Sequence, residues 1–324
     1  MSLTRRQKWR INKIQSERIA RTQRASKISD HIAGDSNTER TGLVITRYGQ
    51  RLLVESESGE LFQCTGRQNI KLSVAGDQVI FQPLSEKEGV VTALVSRDSQ
   101  LKRSHKLIAS NIDQLWLVVA VEPHYQFDLI DSYLVAAENF KLPINIIVNK
   151  IELNKDQNRL EEDFSIYTQI GYSVVYISVK EQTNLKSLRH MLDDKTHIFL
   201  GQSGVGKSSL INKLIPDLNL RVKEISRKSK LGKHTTTNTT LYHIPSGGDL
   251  IDSPGIREFQ LDNLTNKKIL NGFREFKPFI GSCKYRNCVH INEPDCAIKN
   301  AIKSGQIHHK RYQNYLSLIG NEPN

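Results

Sequence analysis

No apolar run in the 324 residues approaches the roughly 20 needed to cross a bilayer, and the N-terminus has no apolar secretory core. A membrane-spanning or exported chain is therefore not expected. Cysteine is scarce as well. There are four, three of them crowded near the C-terminus, which does not fit a secreted disulfide scaffold. A soluble protein of the reducing cytoplasm is the expectation. No repeat and no low-complexity segment is present, and the length leaves room for two or three domains, each with its own core.

Acid is what the first 27 residues lack. Arg5, Arg6, Lys8, Arg10, Lys13, Arg18, Arg21, Arg24 and Lys27 face a single Glu17, a net +8 in a chain of net +12. Such an arm releases counterions from a phosphate backbone and binds it without sequence preference. Trp9 adds one stacking face. A solvated tail and a mitochondrial presequence remain open as other readings. Ser26 to Thr41, rich in Ser, Asp, Asn and Gly, reads as a linker, so residues 1–40 form an arm and linker.

Short strands follow, predicted over Gly42–Arg47, Arg51–Glu55, Leu61–Thr65, Gln78–Gln82 and Val90–Val95, with turns at Tyr48-Gly49, Ser58-Gly59, Gly76-Asp77 and Lys87–Gly89. Five strands in so short a span predict a small β-barrel of the OB type over 41–100, a scaffold used for RNA. An SH3-like barrel or a plain structural module gives a similar pattern.

From about Lys106 strands alternate with helices: strand Leu115–Val121, helix Leu129–Phe140, strand Ile144–Val148, helix Asp156–Ile170, strand Val174–Ile177. This predicts an α/β domain over 105–275, with a mostly parallel sheet covered on both faces and ligands at the carboxyl ends of its strands. At one such end stands Gly201-Gln202-Ser203-Gly204-Val205-Gly206-Lys207-Ser208, entered by Ile198-Phe199-Leu200 and left by a helix beginning at Ser209. The glycines let backbone N–H groups curl around phosphate oxygens, Lys207 reaches the β- and γ-phosphates, and the Ser208 hydroxyl ligates Mg²⁺. Asp252-Ser253-Pro254-Gly255, after the apolar Leu250-Ile251, supplies a metal-facing carboxylate and a Gly255 N–H for the γ-phosphate.

Asn149-Lys150-Ile151-Glu152 follows another strand and resembles the base-reading motif of GTPases, usually Asn-Lys-x-Asp. Asn149 is the contact to the guanine edge, the Lys150 stem lies along the ring, and Glu152 accepts from the base with one methylene more than the usual Asp. Ser178-Val179-Lys180 matches the supporting loop. Between the phosphate loop and Asp252 lies Lys230-Leu231-Gly232-Lys233-His234-Thr235-Thr236-Thr237, where Thr236, then Thr235, are candidates to close over Mg²⁺. The base loop thus precedes the phosphate loop, which is a circularly permuted GTPase order. Ile256 stands where many GTPases carry a water-orienting Gln. His234 is the nearest replacement as general base, with an exposed loop histidine as its alternative. Lys207, Gly255 and His234 are the catalytic candidates. No arginine finger is assignable, so slow intrinsic hydrolysis with activation by a partner is expected.

Cys283-x₄-Cys288-x-His290-x₅-Cys296 places three thiols and an imidazole within fourteen residues, a closed tetrahedral set for one structural Zn²⁺. Cys64, on a predicted barrel strand, reads as a small buried residue. Residues 276–324 form a zinc-binding helical segment with helices over Cys296–Ser304 and Ile307–Ile319. His308-His309-Lys310-Arg311 is suited either to phosphate contacts or to a solvated face.

Arm, barrel, permuted GTPase and cysteine cluster together resemble one family, the ribosome small subunit-dependent GTPase A proteins of bacteria. The most specific matches are Gly232–Thr237, Asp252–Phe259 and the four zinc ligands, and the departure is Glu152. The resemblance implies a cytoplasmic, monomeric GTP hydrolase, which binds the 30S subunit and 16S rRNA in its GTP state. It implies action late in maturation, hydrolysis of GTP to GDP on the subunit, and release. A permuted GTPase of the large subunit, and an RNA-binding module whose nucleotide site does not turn over, are the alternatives.

Overall fold

Five strands between residues 40 and 94 close on one another: β1 (Arg40–Tyr48), β2 (Arg51–Ser56), β3 (Leu61–Gly66), β4 (Gln78–Pro83) and β5 (Glu88–Leu94). The ring runs β1-β2-β3-β5-β4 and back to β1. Only the β3–β5 pair is parallel. Alternating side chains send Val44, Leu52, Val54, Phe62, Cys64, Val79, Phe81 and Val91 inward, with the Phe62 and Phe81 rings 5.0 Å apart. Each such aliphatic or aromatic burial stabilises by about 1.5–3 kcal/mol, enough for a small barrel to hold its shape. The OB-type barrel expected from the strand pattern is present, and Cys64 is buried within it, its thiol pushed up to about 12 by burial.

The computed structural model describes residues 16–17, 19–20, 38–66, 73–103, 106–216, 218, 239–252 and 264–320. Its contacts divide the chain into two units, Met1–Ile112 with Ile215–Ile256, and Asp113–Leu214 with Arg257–Asn324. The first unit adds to the barrel a hairpin of β6 (Gln100–Arg103) and β7 (Lys106–Ser110), which the sequence pattern did not predict. The buried Asp77 ties this region together. Its carboxylate accepts from Arg97 Nε at 2.6 Å, Ser110 Oγ at 2.5 Å and the Val74 N–H at 2.8 Å. A buried carboxylate is tolerated only with such a full set of donors.

A second hairpin in the same unit comes from far along the chain: β12 (Thr240–His243) and β13 (Asp249–Asp252). β12 pairs antiparallel with β1 at Thr46↔Thr240. There Thr46 Oγ1 donates to the Thr239 carbonyl at 2.9 Å and accepts from Thr240 Oγ1 at 3.2 Å. One turn of strand further, the His243 ring lies between Asp249 (Nδ1···Oδ1 2.6 Å) and Glu55 of β2 (Nε2···Oε2 2.5 Å).

The second unit carries a sheet of order β10-β9-β8-β11, made of β8 (Gln114–Ala120), β9 (Ile144–Asn149), β10 (Val174–Tyr176) and β11 (Thr196–Leu200). All its pairs are parallel. Parallel neighbours need crossovers, supplied by α1 (Phe127–Phe140), α2 (Gln157–Gln169) and α3 (Leu185–Met191), while α4 (Lys207–Leu214) follows the last strand, β11. β8 reads as a continuous apolar run because it is covered on both faces. Its Trp116 Nε1 donates to His197 Nδ1 of β11 at 3.0 Å, while His197 Nε2 meets the Leu192 carbonyl, which satisfies a buried indole and a buried imidazole together. α2 starts where Asp156 Oδ1 caps the Arg159 N–H.

The same unit continues through α5 (Asn266–Gly272), a 3₁₀ turn at Arg274–Phe279, α6 (Ala297–Lys303) and α7 (His309–Leu318). Phe273, Phe276 and Tyr315 cluster with Val135 of α1, Cys296, Ile298 and Ile307 in one core, with ring centroids 4.8–5.6 Å apart. The cysteine segment is therefore built onto the α/β core through α1, α5 and α7.

Candidate nucleotide site and metal centre

The phosphate loop leaves β11 at Gly201 and enters α4 at Lys207. Two glycines make the path possible. Gly201 (φ +129°) would drive a Cβ into the Val118 carbonyl, and Gly206 (φ +96°) would drive one into the Asn149 amide. L side chains disfavour both conformations, so these positions are glycine for backbone reasons. Val205 is buried, Ser203, Gly204, Ser208 and Ser209 are exposed, and Gln202 is half-buried. Lys207 is buried and its ammonium is drawn into the loop, donating to the Gly201 carbonyl at 2.5 Å and to that of Gln202. A positive charge is thus held inside the loop, against two of its own carbonyls.

Asn149, at the end of β9, joins this loop to the other motif loops. Its Nδ2 donates to the Val205 carbonyl at 2.9 Å, and its Oδ1 accepts from the Val179 N–H at 3.4 Å. The base-reading segment, the supporting loop and the phosphate loop therefore meet at one buried amide, although 56 residues separate Asn149 from Val205. Ser178 is buried and its Oγ accepts from the Glu181 N–H, which shapes the supporting loop. Lys150 takes a left-handed conformation (φ 60°) and caps a 3₁₀ turn, Ile151–Leu153, on which Glu152 stands. Lys150 Nζ donates to the Glu122 carbonyl at 2.6 Å. Glu152 Oε2 is buried and has no hydrogen-bond partner among the described residues. An unpaired carboxylate oxygen at that position is suited to accept from a ligand's N–H groups.

Asp252 ends β13 in the first unit. His234, Thr235, Thr236 and Gly255 lie outside the described residues.

In the second unit Cys283, Cys288, His290 and Cys296 converge, each offering one ligand atom, with all four atoms within 4.8 Å of one another. His290 Nδ1 lies 3.4 Å from each of the three sulfurs, and Cys283 Sγ lies 3.9 Å from Cys296 Sγ. A zinc tetrahedron with Zn–S of about 2.3 Å and Zn–N of about 2.0 Å has edges of roughly 3.5–3.8 Å. The donor set fits one metal ion. Burial lowers the His290 pKa, which favours the neutral ring that a metal needs. The surrounding backbone is held in place: Glu293 accepts from the Val289 and Ile291 N–H groups at 2.8 and 2.9 Å. From α7, the Tyr312 hydroxyl donates to the His290 carbonyl at 2.7 Å and that of Tyr315 to Val289 at 3.1 Å.

Residues 94–262 match the RsgA GTPase family. A protein of Hahella chejuensis called small ribosomal subunit biogenesis GTPase RsgA is 44% identical over 98% of this chain and 94% of its own length. The chain belongs to the RsgA GTPase family. A relative with the same description from Mannheimia succiniciproducens is 42% identical over 98% of the chain and 94% of its own length. Among solved structures, YjeQ from Thermotoga maritima superposes with a TM-score of 0.74 at 30% identity, covering 87% of this chain and 98% of that one. YloQ, described as a circularly permuted GTPase, gives 0.72 at 28% identity, covering 90% and 99%. Family membership makes the chain a GTP hydrolase with a permuted nucleotide fold, and it implies Mg²⁺ beside the nucleotide.

Some residues read differently in the structure from their appearance in the sequence. Arg311, in a run suited to phosphate contacts or to solvent, is fully buried against Asp131 and Glu275. The His308 side chain caps α7 by accepting from the Lys310 N–H at 3.2 Å. Arg311 is not free for a phosphate because it turns onto the α/β core, whereas His308, His309 and Lys310 stay exposed. The Glu55–His243–Asp249 contact was not visible in the sequence, since Glu55 and His243 are 188 residues apart.

Proposed function

We propose that this RsgA-family GTPase binds GTP with Mg²⁺ through its phosphate, base and switch loops and hydrolyses it on the small ribosomal subunit late in that subunit's maturation, leaving as the GDP form. The observation that carries the nucleotide part is the buried Asn149 amide, which pins Val205 of the phosphate loop and Val179 of the supporting loop at once. The ribosomal part draws on relatives matched over nearly their whole length and named for small-subunit biogenesis. In this reading Gly201–Ser209 cradle the phosphates, Lys207 neutralises developing charge, and Ser208, Asp252, Thr236 and Thr235 serve Mg²⁺. Asn149, Lys150, Glu152, Ser178 and Val179 read guanine. Gly255 approaches the γ-phosphate and His234 orients the attacking water. Cys283, Cys288, His290 and Cys296 hold one structural Zn²⁺.

The basic arm over 1–40 and the barrel over 41–100 contact 16S rRNA, the segment 105–275 turns over GTP, and 276–324 carries the zinc. The working form is a cytoplasmic monomer. The decisive experiment is GTP turnover titrated with purified 30S and, separately, 50S subunits, comparing wild type with His234→Ala. Slow turnover alone, stimulation by 30S only, and loss of that stimulation in His234→Ala are expected. Turnover unchanged by 30S sinks the reading.

A further inference from the structure

Loop 121–126 joins β8 to α1 and belongs to none of the nucleotide motifs, yet it touches two of them. The Glu122 carbonyl holds the Lys150 ammonium at 2.6 Å. A Cβ on Gly204 of the phosphate loop would lie 3.7 Å from the Pro123 ring. Pro123, Tyr125 and Gln126 line one concavity with Gly201, Gln202 and Val205. One short segment therefore backs both the base-reading and the phosphate-binding ends of the site. Glu122, Pro123 and His124 are exposed, so their own packing does not fix it. Tyr125 is the buried residue that follows, its ring packed edge-on against Phe164 of α2 at 4.8 Å and Phe127 of α1 at 5.5 Å. Its hydroxyl donates to Asp163 Oδ2 of α2 at 2.8 Å.

Two groups share the Asp163 carboxylate. Lys310 Nζ approaches the other oxygen at 3.5 Å, but its side chain is 50% exposed and such pairs contribute little. The hydroxyl bond is charge-assisted and part-buried, which makes it the stronger tie. We infer that Tyr125 is a positioning residue for the nucleotide. Its hydroxyl on Asp163 seats loop 121–126 so that Lys150 and the phosphate loop keep the spacing one nucleotide bridges. This role rests on the reading of Lys150 and Gly201–Ser209 as nucleotide-binding groups. An unseated loop loosens both ends of the site together, so GTP and GDP are affected alike. Apparent affinity then follows the fraction of protein with the loop seated.

The test titrates the full-length, metal-loaded protein with fluorescent GTP and GDP analogues and measures GTP turnover on the same preparations. Tyr125→Phe keeps the ring and removes only the hydroxyl. It should raise Kd for both nucleotides, and KM with them, about three- to tenfold. The kcat at saturation should not change, which is the pattern of lost uniform binding. Asp163→Asn keeps an acceptor for the hydroxyl and should stay close to wild type. Asp163→Ala should match Tyr125→Phe, and the double variant should be no weaker than either. Tyr167→Phe controls for a general loss of stability. It removes another buried hydroxyl–carboxylate bond made by α2, to Asp131 at 2.9 Å, and should leave both Kd values as they are. Unchanged affinity in Tyr125→Phe, an Asp163→Asn as weak as Asp163→Ala, or an equal loss in Tyr167→Phe would overturn the inference. Asn149→Ala separates it from the nucleotide reading. If that variant loosens GTP while Tyr125→Phe does not, only the role of Tyr125 falls. If neither loosens GTP, the nucleotide reading of these loops falls as well.

Discussion

Arg311 of α7 lies against Asp131 of α1, and neither side chain touches solvent. The same guanidinium donates to both Glu275 oxygens, at 2.6 and 3.1 Å. Asp131 in turn accepts from the Tyr167 hydroxyl at 2.9 Å and from Asn314 Nδ2 at 2.5 Å. Helices α1, α2 and α7 therefore meet at one carboxylate. Removing one partner of a buried pair strands the other charge, at a cost of about 3–5 kcal/mol. Arg311→Ala should lose stability of that order in urea unfolding, whereas Lys310→Ala, on the exposed side of the same helix, should change it by less than about 1 kcal/mol. Equal effects would show that the pair is not what fixes α7.

Asn149 offers a sharper test of the nucleotide site. Alanine there removes the donor to Val205 and the acceptor for Val179 together. Buried groups left without partners cost about 1–3 kcal/mol each, so GTP affinity should fall about tenfold or more. Titration with a fluorescent GTP analogue measures it, with circular dichroism confirming an intact fold.

Glu152 makes a separate prediction. Its buried, unpartnered Oε2 is the acceptor proposed for guanine. Glu152→Gln keeps the size and replaces an acceptor with a donor, so the preference for GTP over ATP should drop about ten- to a hundredfold, the worth of a hydrogen bond to a charged group. Competition binding with ATP and GTP reads this directly, and an unchanged preference would remove Glu152 from base recognition.

Much of this site was legible because its chemistry is local in sequence. The glycine spacing from Gly201 to Gly206 and the alternation of apolar strands with helices are patterns of a few residues, and they located the glycine loop between β11 and α4 and the parallel sheet. Cys283 to Cys296 likewise fall within fourteen positions. What stayed hidden was long-range. Nothing near His243 announces Glu55, and nothing in a basic run announces that Arg311 turns inward, because its acids lie on α1 and the 3₁₀ turn. Short elements such as β12 and α3 also escaped notice, being held by their neighbours rather than by their own periodicity.

The His243 contact carries a pH dependence. Hydrogen bonds to Asp249 and then to Glu55 raise its pKa from 6.5 to about 10 against the opposing effect of burial. The folded state therefore binds this proton more tightly than the unfolded state. Its stabilisation is fully present below about pH 6.5 and is lost as pH climbs through about 10. Wild type should melt above His243→Gln near neutral pH, and the gap should close once the solution passes about pH 10. A gap that widens with rising pH would mean the ring is held in its neutral form.

Metal removal should act on the segment around the cluster. The carbonyls of Val289 and His290 are held by the α7 tyrosines, so the loop and helix depend on each other. Chelation should reduce the near-ultraviolet dichroism of Tyr312 and Tyr315 and lower the melting temperature, and added Zn²⁺ should restore both. Cys296→Ser should resemble the chelated protein and resist rescue. Full tyrosine signal after complete metal loss would show that the fold does not need the ion.

The pairing of Thr46 with Thr240 has a consequence for synthesis of the chain. The barrel's own ring is complete once Leu94 has been made, but the strand that extends it arrives 194 positions after Thr46. A growing polypeptide can close the ring early and must then wait, with the Thr46 end of one β1 edge uncovered beyond its pairing with β4, for most of the remaining message to be read. Joining the barrel to the hairpin that ends in Asp252 is thus among the last events of assembly, and it reports that translation has passed the phosphate loop.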